Sequence, residues 1–126
     1  MLIDTDVLIW YMKGNSQAFN IIENLPGFYM SVISYMELVQ GMRNKNEFTE
    51  LRKALRSWNT KILFISEEIS AKAMFYVEKH YLSHSLEMAD ALIAATAVAN
   101  QLPILTANDK HYKMIKELRV RQFRPD

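Results

Sequence analysis

The sequence predicts an α/β protein: a central, mostly parallel sheet between two layers of helices. Three observations carry that prediction. Short apolar, β-rich runs alternate with longer amphipathic or alanine-rich stretches, the order of strands joined by helical crossovers. Gly and Pro number only three each, with no linker or repeat, so the 126 residues read as one domain, 1–126. The opening Met1-Leu2-Ile3-Asp4-Thr5-Asp6-Val7-Leu8 runs an apolar strand straight into two carboxylates. Open α/β sheets hold their ligands outside the carboxyl ends of their strands.

The elements follow in order. After the first strand, Leu8 to Lys13 reads as a short helix closed by Gly14. Ser16 to Leu25 is a second helix, stopped by Pro26-Gly27. Phe28 to Ile33 is the second strand, Ser34 to Gly41 a helix, and Glu47 to Trp58 a polar one. Lys61 to Ile65 is the third strand. Glu67 to Leu82 carries Ile69, Ala73, Val77 and Tyr81 on one helical stripe. Leu86 to Asn100 is an alanine-rich helix, Pro103 to Thr106 the fourth strand, Asn108 to Leu118 a last helix, and Val120 to Phe123 an edge strand. The fourth strand is expected beside the first, which puts the switch point of the sheet at Asp4.

Bulk properties narrow the chemistry. Half the residues are hydrophobic and the net charge is +1, so no global field marks a nucleic-acid binder and a polyanion must meet a local patch. The absence of Cys excludes disulfides and thiolate chemistry, and with three His it argues against structural zinc. A metal here is expected to be hard and oxygen-bound, Mg²⁺ or Mn²⁺. No signal peptide or apolar run of bilayer length stands in the sequence, so a cytoplasmic protein without membrane association is expected.

The candidate site residues are acids and hydroxyls near strand ends. Asp4 and Asp6 converge if the first strand persists through them; the plain structural reading is that Asp4, Thr5 or Asp6 caps the next helix. Glu37 follows the second strand, where Ser34-x-x-Glu37 also reads as a capping box. Asp90 is the sharpest signal: an acid inside Met88-Ala89-Asp90-Ala91-Leu92-Ile93, where burial without a partner is costly. Thr106, Asn108 and Asp109 end the fourth strand, and Thr106-x-x-Asp109 is again capping-box spacing. His80, His84 and His111 read as surface or packing residues.

Four segments together resemble the PIN-domain family, and within it the VapC-type toxins of bacterial and archaeal toxin–antitoxin pairs. They are Leu2 to Ile9, Ser31 to Gly41, Leu86 to Ala97 and Ile104 to Tyr112, in this order over essentially the whole chain. The resemblance implies a three-layer PIN-like fold and a Mg²⁺- or Mn²⁺-dependent endoribonuclease, usually a homodimer, restrained by a cognate antitoxin. By resemblance, Asp4, Glu37 and Asp90 match the first three acidic positions, with Asp4 and Asp90 as direct ligands and Glu37 direct or through water. Asp6 matches a position filled by Asn, Ser or Asp. Thr5, Ser31 and Thr106 are candidates to orient waters or carboxylates. The fourth acidic position departs: Asn108 stands where many relatives carry Asp, and Asp109 follows one residue later. Either Asn108 serves as a weaker ligand or Asp109 takes the catalytic place.

RNA needs a basic surface, and two clusters qualify: Arg43, Lys45, Arg52, Lys53, Arg56 and Lys61, and, nearer the C-terminus, Lys110, Lys113, Lys116, Arg119, Arg121 and Arg124. Trp10, Tyr11, Met12, Tyr29, Tyr35, Met36 and Met42 suggest a groove for an antitoxin helix or a dimer face, beside the plain reading of core packing. Asp4-Thr5-Asp6-Val7-Leu8 also fits a haloacid-dehalogenase-type phosphatase with Asp4 as nucleophile, but that family's downstream Lys and acidic motifs are missing. A response-regulator receiver needs an acceptor Asp that Ile62 to Ser66 does not offer. The non-enzymatic rival is a PIN-like module that binds RNA or protein without cutting.

Overall fold

A computed structural model describes residues 1–125. Five parallel strands form one sheet: β1 (Leu2–Ile3), β2 (Phe28–Ser31), β3 (Thr60–Leu63), β4 (Ile104–Thr106) and β5 (Val120–Gln122), in the order β3-β2-β1-β4-β5. β1 lies between β2 and β4, with Leu2 opposite Tyr29 on one side and Ile104 on the other. The switch point is therefore at β1/β4, as the sequence predicts.

Alternation along the strands feeds two cores. Leu2 and Ile104 face one side and Ile3 and Leu105 the other, because successive strand side chains point to opposite faces. Helices α5 (Glu67–His84) and α6 (Met88–Ala99) cover the first face with Ile69, Ala73, Tyr76, Ile93 and four buried alanines. Small side chains let α6 lie close to the sheet, so its first turn reaches the strand ends. Helices α1 (Thr5–Met12), α2 (Ser16–Glu23), α3 (Val32–Gln40) and α4 (Lys45–Trp58) line the second face with Val7, Leu8, Ile22, Leu38, Leu51 and Trp58. This is the expected three-layer α/β/α arrangement.

Three local expectations are corrected. The first strand stops at Ile3, and Asp4 caps α1 directly, so Asp4 and Asp6 do not share a strand face. Helix α3 starts earlier than expected: Ser31, the last residue of β2, caps it by accepting from the Ile33 N–H at 3.0 Å. Ser34 and Glu37 thus form no capping box. The expected helix over Asn108 to Leu118 shrinks to a 3-10 turn, Asp109–His111, followed by further turns. Its buried residues are Asp109, Tyr112, Ile115 and Leu118, and the Ile115 N–H donates to Tyr112 and the Leu118 N–H to Ile115. A three-residue burial period suits successive i→i+3 turns rather than the 3.6-residue α-helix.

Candidate active site

The strand ends of β1 and β4, the first turn of α6 and the face of α3 toward α1 supply the polar groups. Asp4 is only 6% exposed. Its Oδ1 accepts from the Thr5 N–H at 2.8 Å, and its Oδ2 from the Thr106 hydroxyl at 2.8 Å and the Tyr112 hydroxyl at 3.1 Å. Asp4 is thus both helix cap and site residue, and the two readings of it merge. Burial, and then repulsion from Asp6, push its carboxyl up to about 7 despite these bonds.

Asp6 is reached through β4. Its Oδ2 accepts from the Ala107 N–H at 3.1 Å and the Asn108 side-chain amide at 3.0 Å, with the Thr106 hydroxyl at 3.3 Å. Thr106 has one hydroxyl hydrogen, so the shorter bond to Asp4 has first claim on it. The Asp6 Oδ1 is buried without a hydrogen-bond partner. Burial raises the Asp6 carboxyl above its ordinary range.

Asp90 stands in the first turn of α6, half-buried. Its Oδ1 lies 3.4 Å from the Tyr112 hydroxyl and its Oδ2 3.3 Å from His111 Nδ1. Burial raises its carboxyl, and the His111 ring partly offsets this. Glu37 stands apart from the Asp pair. Its Oε1 is 2.6 Å from the Thr5 hydroxyl, which is also 2.8 Å from the hydroxyl of fully buried Ser34. One hydrogen on Thr5 cannot serve both, so the consistent arrangement has Thr5 donating to Glu37 and Ser34 donating to Thr5.

Asp109, expected as a candidate catalytic acid, is placed elsewhere. Its carboxylate meets Lys113 Nζ at 3.1 Å and Arg124 at 3.4 Å, and Lys113 holds it below the usual carboxylate range. It shares no hydrogen bond with Asp4, Asp6, Asp90 or Glu37 among the described residues. Two cations already balance it, so it tethers the turn to the C-terminal segment. Asn108 reaches the cluster as an amide donor to Asp6, and its own N–H donates to Thr106 Oγ1 at 3.0 Å. Thr106 therefore joins Asp4, Asp6 and the following turn, and no Thr106–Asp109 capping box forms. Ser31 serves as a helix cap. His111 is surface-exposed as expected, yet it contacts Asp90; His80 and His84 lie on α5.

Sequence reasoning missed Tyr112. Its ring is wholly buried while its hydroxyl meets both Asp4 and Asp90, and burial beside those acids raises its pKa well above the ordinary phenol value. The only sequence signal was its place in the three-residue burial period, which the helix assignment obscured.

Among the described residues, no three His, Asp or Glu side chains gather tightly enough to hold one ion. Mg²⁺ needs only one or two carboxylates and keeps several waters. Asp4 and Asp90, converging on one hydroxyl, fit such an ion, and the buried Asp6 Oδ1, without a hydrogen-bond partner, leaves negative charge close to Asp4.

Comparisons with known proteins give the family. The chain is 30% identical to Ribonuclease VapC1 of Methanocaldococcus jannaschii, over 93% of this chain and 82% of that protein. It is 31% identical to Ribonuclease VapC10 of Mycobacterium tuberculosis, over 94% of this chain and 90% of that protein. Among solved structures, a toxin-antitoxin complex from Klebsiella pneumoniae superposes with a TM-score of 0.76 at 28% identity, covering 96% of this chain and 95% of that one. VapBC2 from Rickettsia felis, bound to a promoter DNA fragment, shares the fold with a TM-score of 0.80 at 17% identity over 98% of both chains. The PIN domain family model matches residues 1–118, a span that takes in both strand ends and the α6 turn where the carboxylates meet. This chain belongs to the PIN domain family.

Proposed function

We propose that this protein is an endoribonuclease of the toxin–antitoxin type, hydrolysing RNA with Mg²⁺ or Mn²⁺ held by Asp4 and Asp90. The observation that carries the reading is the convergence of those two carboxylates, from the β1 end and the α6 start, at the sheet's switch point. Family membership and the ribonuclease relatives set aside the phosphatase and receiver readings.

When bound, the cation would polarise the scissile phosphate and favour hydroxide over water as nucleophile. The protein's own groups do the rest. Thr5 N–H, Thr106 and Tyr112 fix both oxygens of Asp4. Glu37, held by the Thr5 hydroxyl, is the group we assign to orient the attacking water and accept its proton. Asp6, anchored by Ala107 and Asn108, adds negative charge beside Asp4 that a divalent cation would offset. A new P–O bond forms to that water as the bond to the leaving ribose oxygen breaks, and that oxygen takes a proton from solvent.

RNA would approach over residues 110–124, where Lys110, Lys113, Lys116, Arg119, Arg121 and Arg124 are exposed beside His111. Each basic cluster has two paired cations, Arg43 with Glu47 and Lys53 with Glu50 in one, Lys113 and Arg124 with Asp109 in the other, so it is the contact of His111 with Asp90 that favours residues 110–124.

The antitoxin reading is supported by a groove of about 540 Å³ between α1, α3 and the start of α4, lined by Ile9, Met12, Leu38 and Met42. Glu37 lies at its wall, so a segment seated there would approach the catalytic residues. The homodimer reading rests on α5, where Met74 is 63% and Leu82 95% exposed; a second copy would cover them. Among the described residues no helix is long and apolar enough to cross a membrane, and a cytoplasmic location suits an RNA substrate.

The test is growth after induced expression of wild type and Asp90→Asn at matched soluble levels, with total RNA mapped for cuts. Arrest with discrete fragments in the wild type alone is expected. Arrest by both forms without RNA cuts would remove the ribonuclease reading.

A further inference from the structure

We infer that the Tyr112 hydroxyl is a positioning group that ties Asp4 to Asp90 and sets how tightly the pair binds a divalent cation. This deepens the metal-dependent reading above and rests on it.

Four observations carry the inference. The hydroxyl stands 3.1 Å from Asp4 Oδ2 and 3.4 Å from Asp90 Oδ1, and it is the one side chain that meets both acids among the hydrogen bonds of the described residues. The ring behind it is 0% exposed and packs in the core that also holds Leu2, Ala91 and Ile104. A ring locked in a dense core presents its hydroxyl at a fixed point. The neighbouring residue acts in parallel, with His111 Nδ1 3.3 Å from Asp90 Oδ2. One short turn thus contacts both carboxylates, His111 on Asp90 and Tyr112 on the pair.

A phenol has a single hydrogen. It is donated to Asp4, at the shorter distance, or to Asp90; the oxygen not served faces the hydroxyl acceptor to acceptor, a contact held by the locked ring and relieved when a cation or proton lies between the acids. The hydroxyl therefore does not neutralise the two acids; it fixes their spacing while leaving them electron-rich. Thr106 also donates to Asp4 Oδ2, so that oxygen already has two donors, whereas Oδ1 has one, the Thr5 N–H. Removing the Tyr112 oxygen would leave Asp4 held by Thr5 and Thr106 but untied from Asp90. Groups that orient metal-binding side chains from behind typically change affinity by about 10–100-fold when lost.

A plain structural role for the hydroxyl predicts something else. A buried phenol needs a partner, and losing that bond would lower stability equally with and without cation. The experiment separates the two. Mn²⁺ is titrated calorimetrically into wild type, Tyr112→Phe, Asp90→Asn and the double variant, and each is melted in EDTA and in excess Mn²⁺.

The expected result is Mn²⁺ binding about tenfold weaker in Tyr112→Phe, with a smaller Mn²⁺-induced rise in Tm. In the Asp90→Asn background the same change should cost much less, because one end of the tie is already gone. Tyr112→Phe affinity within twofold of wild type, or tighter, overturns the inference. So does a full loss in the Asp90→Asn background, or failure of Tyr112→Phe to fold, which would assign the hydroxyl to the fold. Absence of Mn²⁺ binding by folded wild type overturns the metal-dependent reading itself, and the inference with it.

Discussion

At the residue scale, Asp4 has two jobs in tension. As a helix cap it is buried; as the metal ligand we propose it to be, it must be charged. Its carboxyl is raised from 3.8 to about 7 by burial and by Asp6. Between those values the folded protein holds a proton that the unfolded chain has released, so stability of the metal-free protein falls as pH rises through that window, by about 1.4 kcal/mol per unit at most. Asp4→Asn should flatten the slope and raise Tm at pH 8 in EDTA, read by thermal melts across pH 4–8. A steeper slope in the variant would remove this account of Asp4. Asp109 carries the opposite expectation. Because Lys113 and Arg124 already balance it, Asp109→Asn should leave RNA cleavage within a few-fold of wild type, whereas Asp90→Asn should lower it about 100-fold or more. Asp4, Glu37 and Asp90 could be singled out in the sequence because acids stood at strand ends or inside apolar runs. Tyr112 could not, since an aromatic near the C-terminus carries no sign of its hydroxyl's partners. Nor could the fate of Asp109, which depends on distant Arg124.

At the scale of elements, strand ends become helix starts without a loop, and this places the site. Ser31 ends β2 and caps α3, and Asp4, the residue after β1, caps α1. The sequence showed both Ser31 and Ser34 ahead of Glu37. Capping-box spacing favoured Ser34, but the early turn from β2 into helix gave the cap to Ser31 and freed Ser34 for Thr5. Ser31→Ala should therefore destabilise the protein by about 1 kcal/mol, measured by urea unfolding, while Ser34→Ala should act on cleavage through Thr5 and Glu37. The segment after β4 forms tight turns rather than the expected helix for a related reason. Tyr112, Ile115 and Leu118 satisfy the i, i+3 spacing of an α-helix as well as that of repeated tight turns. Met114 and Leu118 also stand four apart, so apolar spacing alone does not separate the two.

At the scale of the molecule, the order β3-β2-β1-β4-β5 brings residues from the two ends of the chain together at β1 and β4. That much was legible: strand and helix alternation gave the sheet, and a shared acidic site required β1 beside β4. What covers the outer surfaces was not legible, because exposure of Met74 or Leu82 depends on which way α5 rolls on the sheet. With Leu82 at 95% exposure, Leu82→Glu should leave the fold intact by circular dichroism but convert the dimer we propose to monomer in sedimentation. The core behaves oppositely: Leu51, 0% exposed between α4 and the sheet, should cost about 2–5 kcal/mol as Leu51→Ala. The most direct test of the whole account is cleavage of a structured RNA by purified wild type, Asp4→Asn and Asp90→Asn, each shown folded, across a Mn²⁺ titration. The account predicts discrete cuts that rise with Mn²⁺ and vanish in EDTA, in the wild type alone. Cutting by Asp90→Asn at the wild-type rate, or cutting that ignores EDTA, would contradict it.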